Sequence, residues 1–125
     1  MQIWQRLVEL EISGSDFGLK WPNPLEILAQ IESECQEIRE HLQEGDSTSR
    51  QLQDEIGDLM HAVMSLSWYC GFNSKTILTR SCDKFESRLN MMKQIVQEQG
   101  LPDMKNKPFA ELMQVWDEAK LRLTK

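Results

Sequence analysis

The sequence predicts an all-α protein, a bundle of about five helices. Three observations lead there. Apolar residues recur at three- and four-residue spacing, as in Leu52, Ile56, Leu59 and Val63, which is the pattern of a helix with one buried face. Helix starts and stops punctuate the chain at Asn23-Pro24, Gly71, Gly100-Leu101-Pro102 and Pro108. Two acidic pairs at i, i+3 spacing, Glu34 with Glu37 and Glu55 with Asp58, each sit beside such an apolar stripe.

The first helix is expected from Ile3 to about Ile12, with Ile3, Trp4, Leu7 and Val8 on one face and Ser13-Gly14-Ser15 ending it. Asp16 to Asn23 reads as a loop rich in aromatic and turn residues. Its Trp21, and after it Phe17, offer a flat π-face on which a nucleobase can stack; the plainer alternative is a loop packed on the bundle. Asn23 caps and Pro24 opens the second helix, which runs to about Gln43 with Ile31, Cys35, Ile38 and Leu42 on its stripe. Glu44 to Ser47 is a turn, and Thr48 with Gln51 has the spacing of a capping box for the third helix, which ends near Gly71. So short a turn makes the second and third helices antiparallel neighbours. Gly57, inside the third helix, costs about 1 kcal/mol relative to alanine, so a close approach of a packed helix or of a ligand is expected there. Asn73 or Ser74 caps the fourth helix, whose Lys84 and Arg88 share one face. After a linker at Lys105 to Lys107, Pro108 opens the last helix, ending near Leu123.

The acidic pairs carry the chemistry. Two like charges about 4 Å apart repel by about 4 kcal/mol at an effective dielectric of about 20. An exposed lysine returns only ~0–1 kcal/mol, so four clustered carboxylates call for a stronger counter-charge. A hard divalent cation supplies it, and an all-oxygen ligand set favours Mg²⁺, with Mn²⁺ possible, over zinc. The expected metal ligands and catalytic residues are Glu34, Glu37, Glu55 and Asp58, held between two antiparallel helices.

A chain of 125 residues, 40% hydrophobic and 27% charged, reads as one globular domain spanning 1–125. A net charge of −6 argues against nucleic acid as a partner. Cys35, Cys70 and Cys82 lack metal-type spacing; Cys35 and Cys82 fall in apolar stripes and are expected to be small core residues in a reducing compartment. Polar residues break up Met1 to Ile12, which does not read as a secretion signal, and no apolar run approaches membrane-spanning length. The expectation is a cytoplasmic protein with no membrane partner. Apolar stripes on all five helices exceed what one small bundle hides, so a homodimer or higher homo-oligomer is expected to complete the fold.

Glu34-x-x-Glu37, a linker, then Glu55-x-x-Asp58 inside Asp54-Glu55-Ile56-Gly57-Asp58-Leu59-Met60-His61-Ala62-Val63 resembles the MazG-type nucleoside triphosphate pyrophosphohydrolases. Asp83-Lys84-Phe85-Glu86-Ser87-Arg88 resembles that family's downstream basic segment, and the likeness covers most of the span from Trp21 to Met92. The family often opens its first motif with paired glutamates, whereas Ser33 stands at the earlier place here. The resemblance implies Mg²⁺-dependent hydrolysis of (deoxy)nucleoside triphosphates to the monophosphate and pyrophosphate, in a house-cleaning role on non-canonical or excess nucleotides. It implies Lys84 and Arg88 as phosphate-binding residues beside the base-contacting Trp21. One of the four carboxylates, Glu32 or Asp54 would act as base.

Other readings stay open on sequence. A phosphoribosyl-ATP pyrophosphohydrolase has similar acid motifs. A non-catalytic acidic bundle that binds a partner protein or a metal shares the composition. Asp58-x-x-His61 touches the di-iron carboxylate pattern, but no second copy exists, since Glu37 and His41 are four apart. His61 is then expected at the edge of the core.

Overall fold

The computed structural model describes residues 1–124, and those residues form five helices and no strands. They are α1 (Ile3–Phe17), α2 (Pro24–Gln43), α3 (Arg50–Tyr69), α4 (Ser74–Glu98) and α5 (Phe109–Leu123). The all-α fold read from the sequence is therefore the observed one. No described helix is long and apolar enough to cross a membrane. The chain divides into two compact units, Met1–Ile77 and Leu78–Lys125.

In the first unit, α3 packs along α2 and also meets α1. The α2–α3 pair is antiparallel, because His41 late in α2 meets Glu55 early in α3 while Glu34 senses Asp58 one turn further on. Local signals set most boundaries as expected. Asn23 Oδ1 accepts the Glu26 N–H at 3.1 Å, and Pro24 follows at the first helical position, where its missing N–H costs nothing. Asn73, rather than Ser74, caps α4 by accepting the Thr76 N–H at 3.0 Å.

Two boundaries differ from the sequence reading. α1 does not stop at Ser13-Gly14-Ser15 but runs on to Phe17, where Gly18 at φ 109° takes the left-handed turn and donates to the Gly14 and Ser15 carbonyls. Gly14 is half-buried on the inner face of α1, and the position it holds there outweighs its weak helix propensity. The cap of α3 is Ser49, whose Oγ accepts the Leu52 N–H at 3.0 Å; Thr48 and Gln51 make no capping box. The cause is Asp46. Its Oδ1 accepts the N–H groups of Thr48 and Ser49 at 3.3 and 3.0 Å, and this turn delivers Ser49 to the helix start.

The stripes are also rotated by about one residue from the expected ones. The inward face of α2 is Ile27, Ile31, Glu34, Ile38 and His41, and that of α3 includes Leu52, Glu55, Leu59, Ala62 and Ser65. On α1 it is Trp4, Leu7, Glu11 and Gly14, with Ile3 and Val8 exposed. Cys35 and Cys82, expected in the core, are exposed with Cys70. Leu42, Ile56, Met60 and Val63 are exposed too. A helical pair covers one stripe per helix, and here the covered stripe is the one that carries polar residues. Gly57 faces open space: a Cβ built there meets nothing within 4 Å, so no packing in this chain requires the glycine.

In the second unit, Ile95 and Val96 of α4 form a small core with Val115 and Ala119 of α5, flanked by Met91, Met92, Leu101 and Met104. Arg122 near the end of α5 donates to Glu118 at 3.1 Å and to Glu98 of α4 at 3.0 Å, which holds its guanidinium firmly charged.

Candidate metal and nucleotide site

A cleft of about 630 Å³ lies in the first unit, and α1, α2, α3 and the loop before α2 all line it. Glu34 projects into it from α2 and Asp58 from α3, and Trp21 lines it from the loop. The rotation of the stripes explains Glu34. It falls on the inner face of α2 itself, one turn from Ile31 and Ile38, instead of beside that face.

Glu34 is held by one hydrogen bond, from Gln30 Nε2 to Oε1 at 3.0 Å. Its Oε2 is buried and has no hydrogen-bond partner. Burial pushes the Glu34 carboxyl above the usual carboxylate range, and the Glu37 and Asp58 charges push it further, against the Gln30 hydrogen bond. Three of the four predicted carboxylates thus repel one another across one patch. Asp58 and Glu37 are exposed, and Glu37 does not line the cleft.

Glu55 is turned to a different partner. Its Oε2 lies 3.0 Å from His41 Nε2, buried but not aligned for a hydrogen bond. His41 Nδ1 in turn meets Asp46 Oδ2 at 2.8 Å. The Asp46 hydrogen bond, with the nearby Glu55, raises the His41 pKa against the effect of burial. Asp46 is held down to about 2, first by the Ser49 hydroxyl and backbone N–H, then by His41 and the Thr48 N–H. The sequence reading gave His41 no role.

With the side chains in these positions, no three acidic, histidine or cysteine groups among the described residues stand close enough to hold a metal ion. The donor set itself suits a hard cation. An orphaned buried carboxylate oxygen and a carboxyl raised by its acidic neighbours are what a divalent counter-charge would relieve.

Lys84 and Arg88 lie in the second unit. Arg88 sets its guanidinium over the Trp116 ring, 5.3 Å from the centroid, and Phe85 tilts against the same ring at 6.1 Å. Lys84 is exposed. Phe17 is exposed at the end of α1 and does not line the cleft.

Two cleft residues, Glu11 and Ser65, went unread in the sequence, and a third, His61, was read as a core-edge residue. Glu11 of α1 accepts a short hydrogen bond from the Ser65 hydroxyl, and His61 Nε2 lies 3.1 Å from the same Oε1 atom. His61 is therefore an exposed cleft residue rather than part of a core edge. A signal was present: Glu11 sits four residues after Leu7 and three before Gly14, a carboxylate on an otherwise apolar stripe.

Comparison with known proteins supplies the context. The family model of the MazG nucleotide pyrophosphohydrolase domain matches residues 23–92, which contain all four acidic motif residues. The chain is 26% identical over 111 residues to the nucleoside triphosphate pyrophosphohydrolase/pyrophosphatase MazG of Thermotoga maritima, covering 89% of this chain and 41% of the relative. It is 24% identical over 115 residues to the nucleoside triphosphate pyrophosphohydrolase of Escherichia coli K12, covering 92% of this chain and 43% of the relative. The chain thus spans about two fifths of the length of these curated relatives. With more than half of its residues inside the matched segment, the chain belongs to the MazG nucleotide pyrophosphohydrolase domain family.

Proposed function

We propose that the chain hydrolyses nucleoside triphosphates to the monophosphate and pyrophosphate with Mg²⁺ as its metal, Mn²⁺ being the alternative. The single observation that carries this reading is the buried, unpartnered Glu34 Oε2 beside Asp58 in a cleft that Trp21 also lines. Glu34, Glu37 and Asp58 would hold the metal, with Glu55 joining them from its place beside His41. When bound, the ion would neutralise phosphate charge and acidify a water.

The chain's own groups account for the rest. Gln30 fixes Glu34 through Oε1 and leaves the buried Oε2 without a hydrogen-bond partner. The general base would be one of the four carboxylates, Glu32 or Asp54. Trp21 offers the base a flat apolar face along the same cleft. On the family resemblance alone, Lys84 and Arg88 are proposed as phosphate-binding residues. The family names of the relatives support the reaction type, and a house-cleaning role on non-canonical or excess nucleotides fits it.

The active form is proposed to be a homodimer. Leu42, Ile56, Met60 and Val63 line the outer sides of α2 and α3. A surface groove of about 440 Å³ beside Cys35, Ile38, Arg39 and Leu42 offers a second copy a place to pack.

The test is pyrophosphate release from a panel of canonical and modified nucleoside triphosphates, with phosphoribosyl-ATP included, each with and without Mg²⁺. Release that requires Mg²⁺ is expected for at least one nucleoside triphosphate. Release from phosphoribosyl-ATP alone would reassign the substrate, and no release from any of them would remove the hydrolase.

A further inference from the structure

On the reading that a nucleotide occupies this cleft, we propose that Glu11 reads the base and selects bases carrying an exocyclic amino group. Glu11, Leu19, Trp21 and Ser65 line both the 630 Å³ cleft and an adjoining cavity of about 240 Å³ that also holds Trp68 and Tyr69. Trp21 and Glu11 thus line the same two cavities, and the proposal sets the base on Trp21 with its edge toward Glu11.

The hydrogen bonding of Glu11 decides which edge fits. Ser65 Oγ and His61 Nε2 both approach Oε1. Both contacts fall on Oε1, which leaves Oε2 as the oxygen for a ligand. A carboxylate oxygen can only accept, so it rewards an amino group, as on cytosine or adenine, and repels a carbonyl oxygen at the same place, as on uracil or hypoxanthine. Ser65 and His61 fix the carboxylate through Oε1, which lowers the cost of orienting it on binding. Glu11 lies on α1, outside the segment matched by the family model.

The experiment measures binding of nucleoside monophosphates to the full chain by isothermal titration calorimetry, in pairs that differ only in amino against oxo: CMP with UMP, and AMP with IMP. The amino member of each pair is expected to bind about tenfold tighter, the discrimination that one hydrogen bond to a charged acceptor confers. In E11Q, whose amide can also donate to a carbonyl oxygen, the preference should fall to near parity with the fold intact by circular dichroism. Equal affinity within each pair for the wild-type chain, no binding by any of the four, or an undiminished preference in E11Q would overturn the proposal. The wild-type pairs decide even if E11Q does not fold. Pyrophosphate release from CTP and UTP, run alongside, separates the two readings. An amino preference in binding without any release retains the base reader and removes the hydrolase; release without preference does the reverse.

Discussion

The α2–α3 pair carries acidic residues at two levels, and the two are built in opposite ways. Near the turn, Asp46 has Ser49, Thr48 and His41 as donors, and Glu55 has His41 beside it. Two turns away, Glu34 has only Gln30 on one oxygen, and its acidic neighbours Glu37 and Asp58 push its pKa up while Asp46 is held down to about 2. A carboxylate that serves the fold is surrounded by donors. A carboxylate kept under-compensated on an inner helix face costs stability, and such groups mark functional sites. The difference in partners between Asp46 and Glu34, more than the acidic motif itself, favours the proposed site at the Glu34 end.

The largest effect should come from the uncompensated end. Glu34→Gln is expected to lower pyrophosphate release by about a hundredfold or more. The same change should raise the thermal midpoint at neutral pH, because it removes a charge that burial and two neighbours oppose. A loss of both activity and stability would mean that Glu34 serves the fold as Asp46 does, and the contrast would fail.

Metal is the second probe of the same contrast. A ligand at a hundred times its Kd stabilises the state that binds it by about 2.7 kcal/mol. Differential scanning fluorimetry with saturating Mg²⁺ should therefore raise the midpoint of the wild-type chain by several degrees. It should leave Glu34→Gln nearly unmoved. An equal upward shift in both would place the bound ion elsewhere.

A smaller effect is expected at the compensated end. Asp46→Asn should lower the midpoint at pH 7 without changing Mg²⁺ affinity. The folded pKa of Asp46 is depressed, so its contribution is fully present above the ordinary value near 3.8 and disappears as pH falls toward about 2. Because Asp46 also raises the His41 pKa, the gap between wild type and variant should widen as pH falls through the His41 titration, hold steady from about pH 6 to about pH 4, and close below that. A gap that instead widened below about pH 4 would contradict the depressed pKa.

How much of this was legible in the sequence follows from the range of each interaction. Asn23-Pro24 and Asn73 act on N–H groups three residues away, so their helix starts could be read directly. Ser49 needed knowledge of the Asp46 turn before it, and Thr48 was the nearer guess. The stripes were off by one position because Cys35, Leu42, Ile56 and Val63 are as apolar as the residues that are covered. Only the neighbouring helix selects between two candidate faces. Glu34 and Glu55 were recognisable from their spacing, and Gln30, one turn before Glu34 on the same helix, is a local partner, but His41 as the neighbour of Glu55 depends on register between helices. Glu11 meets Ser65 across more than fifty residues, a pairing that no local pattern announces.

Gly57 gives the smallest effect and the finest test, since it stands between Glu55 at the partnered end and Asp58 at the unpartnered one. Replacing an exposed helical glycine with alanine stabilises by up to about 1 kcal/mol when nothing obstructs the new methyl group. No atom lies within 4 Å of a Cβ built at Gly57, so within a single chain Gly57→Ala should raise the thermal midpoint slightly. The exposed Ile56 and Met60 are close by on α3. If the second copy packs its backbone against this turn, the methyl group would meet the partner instead, and the variant would lose dimer in analytical ultracentrifugation as protein is diluted. The expected result is a higher midpoint with an unchanged dimer, because Ile56 and Val63 lie about 100° or more around the helix from Gly57. A weakened dimer would move the interface onto the acidic edge of α3 and bring the second copy up to the site.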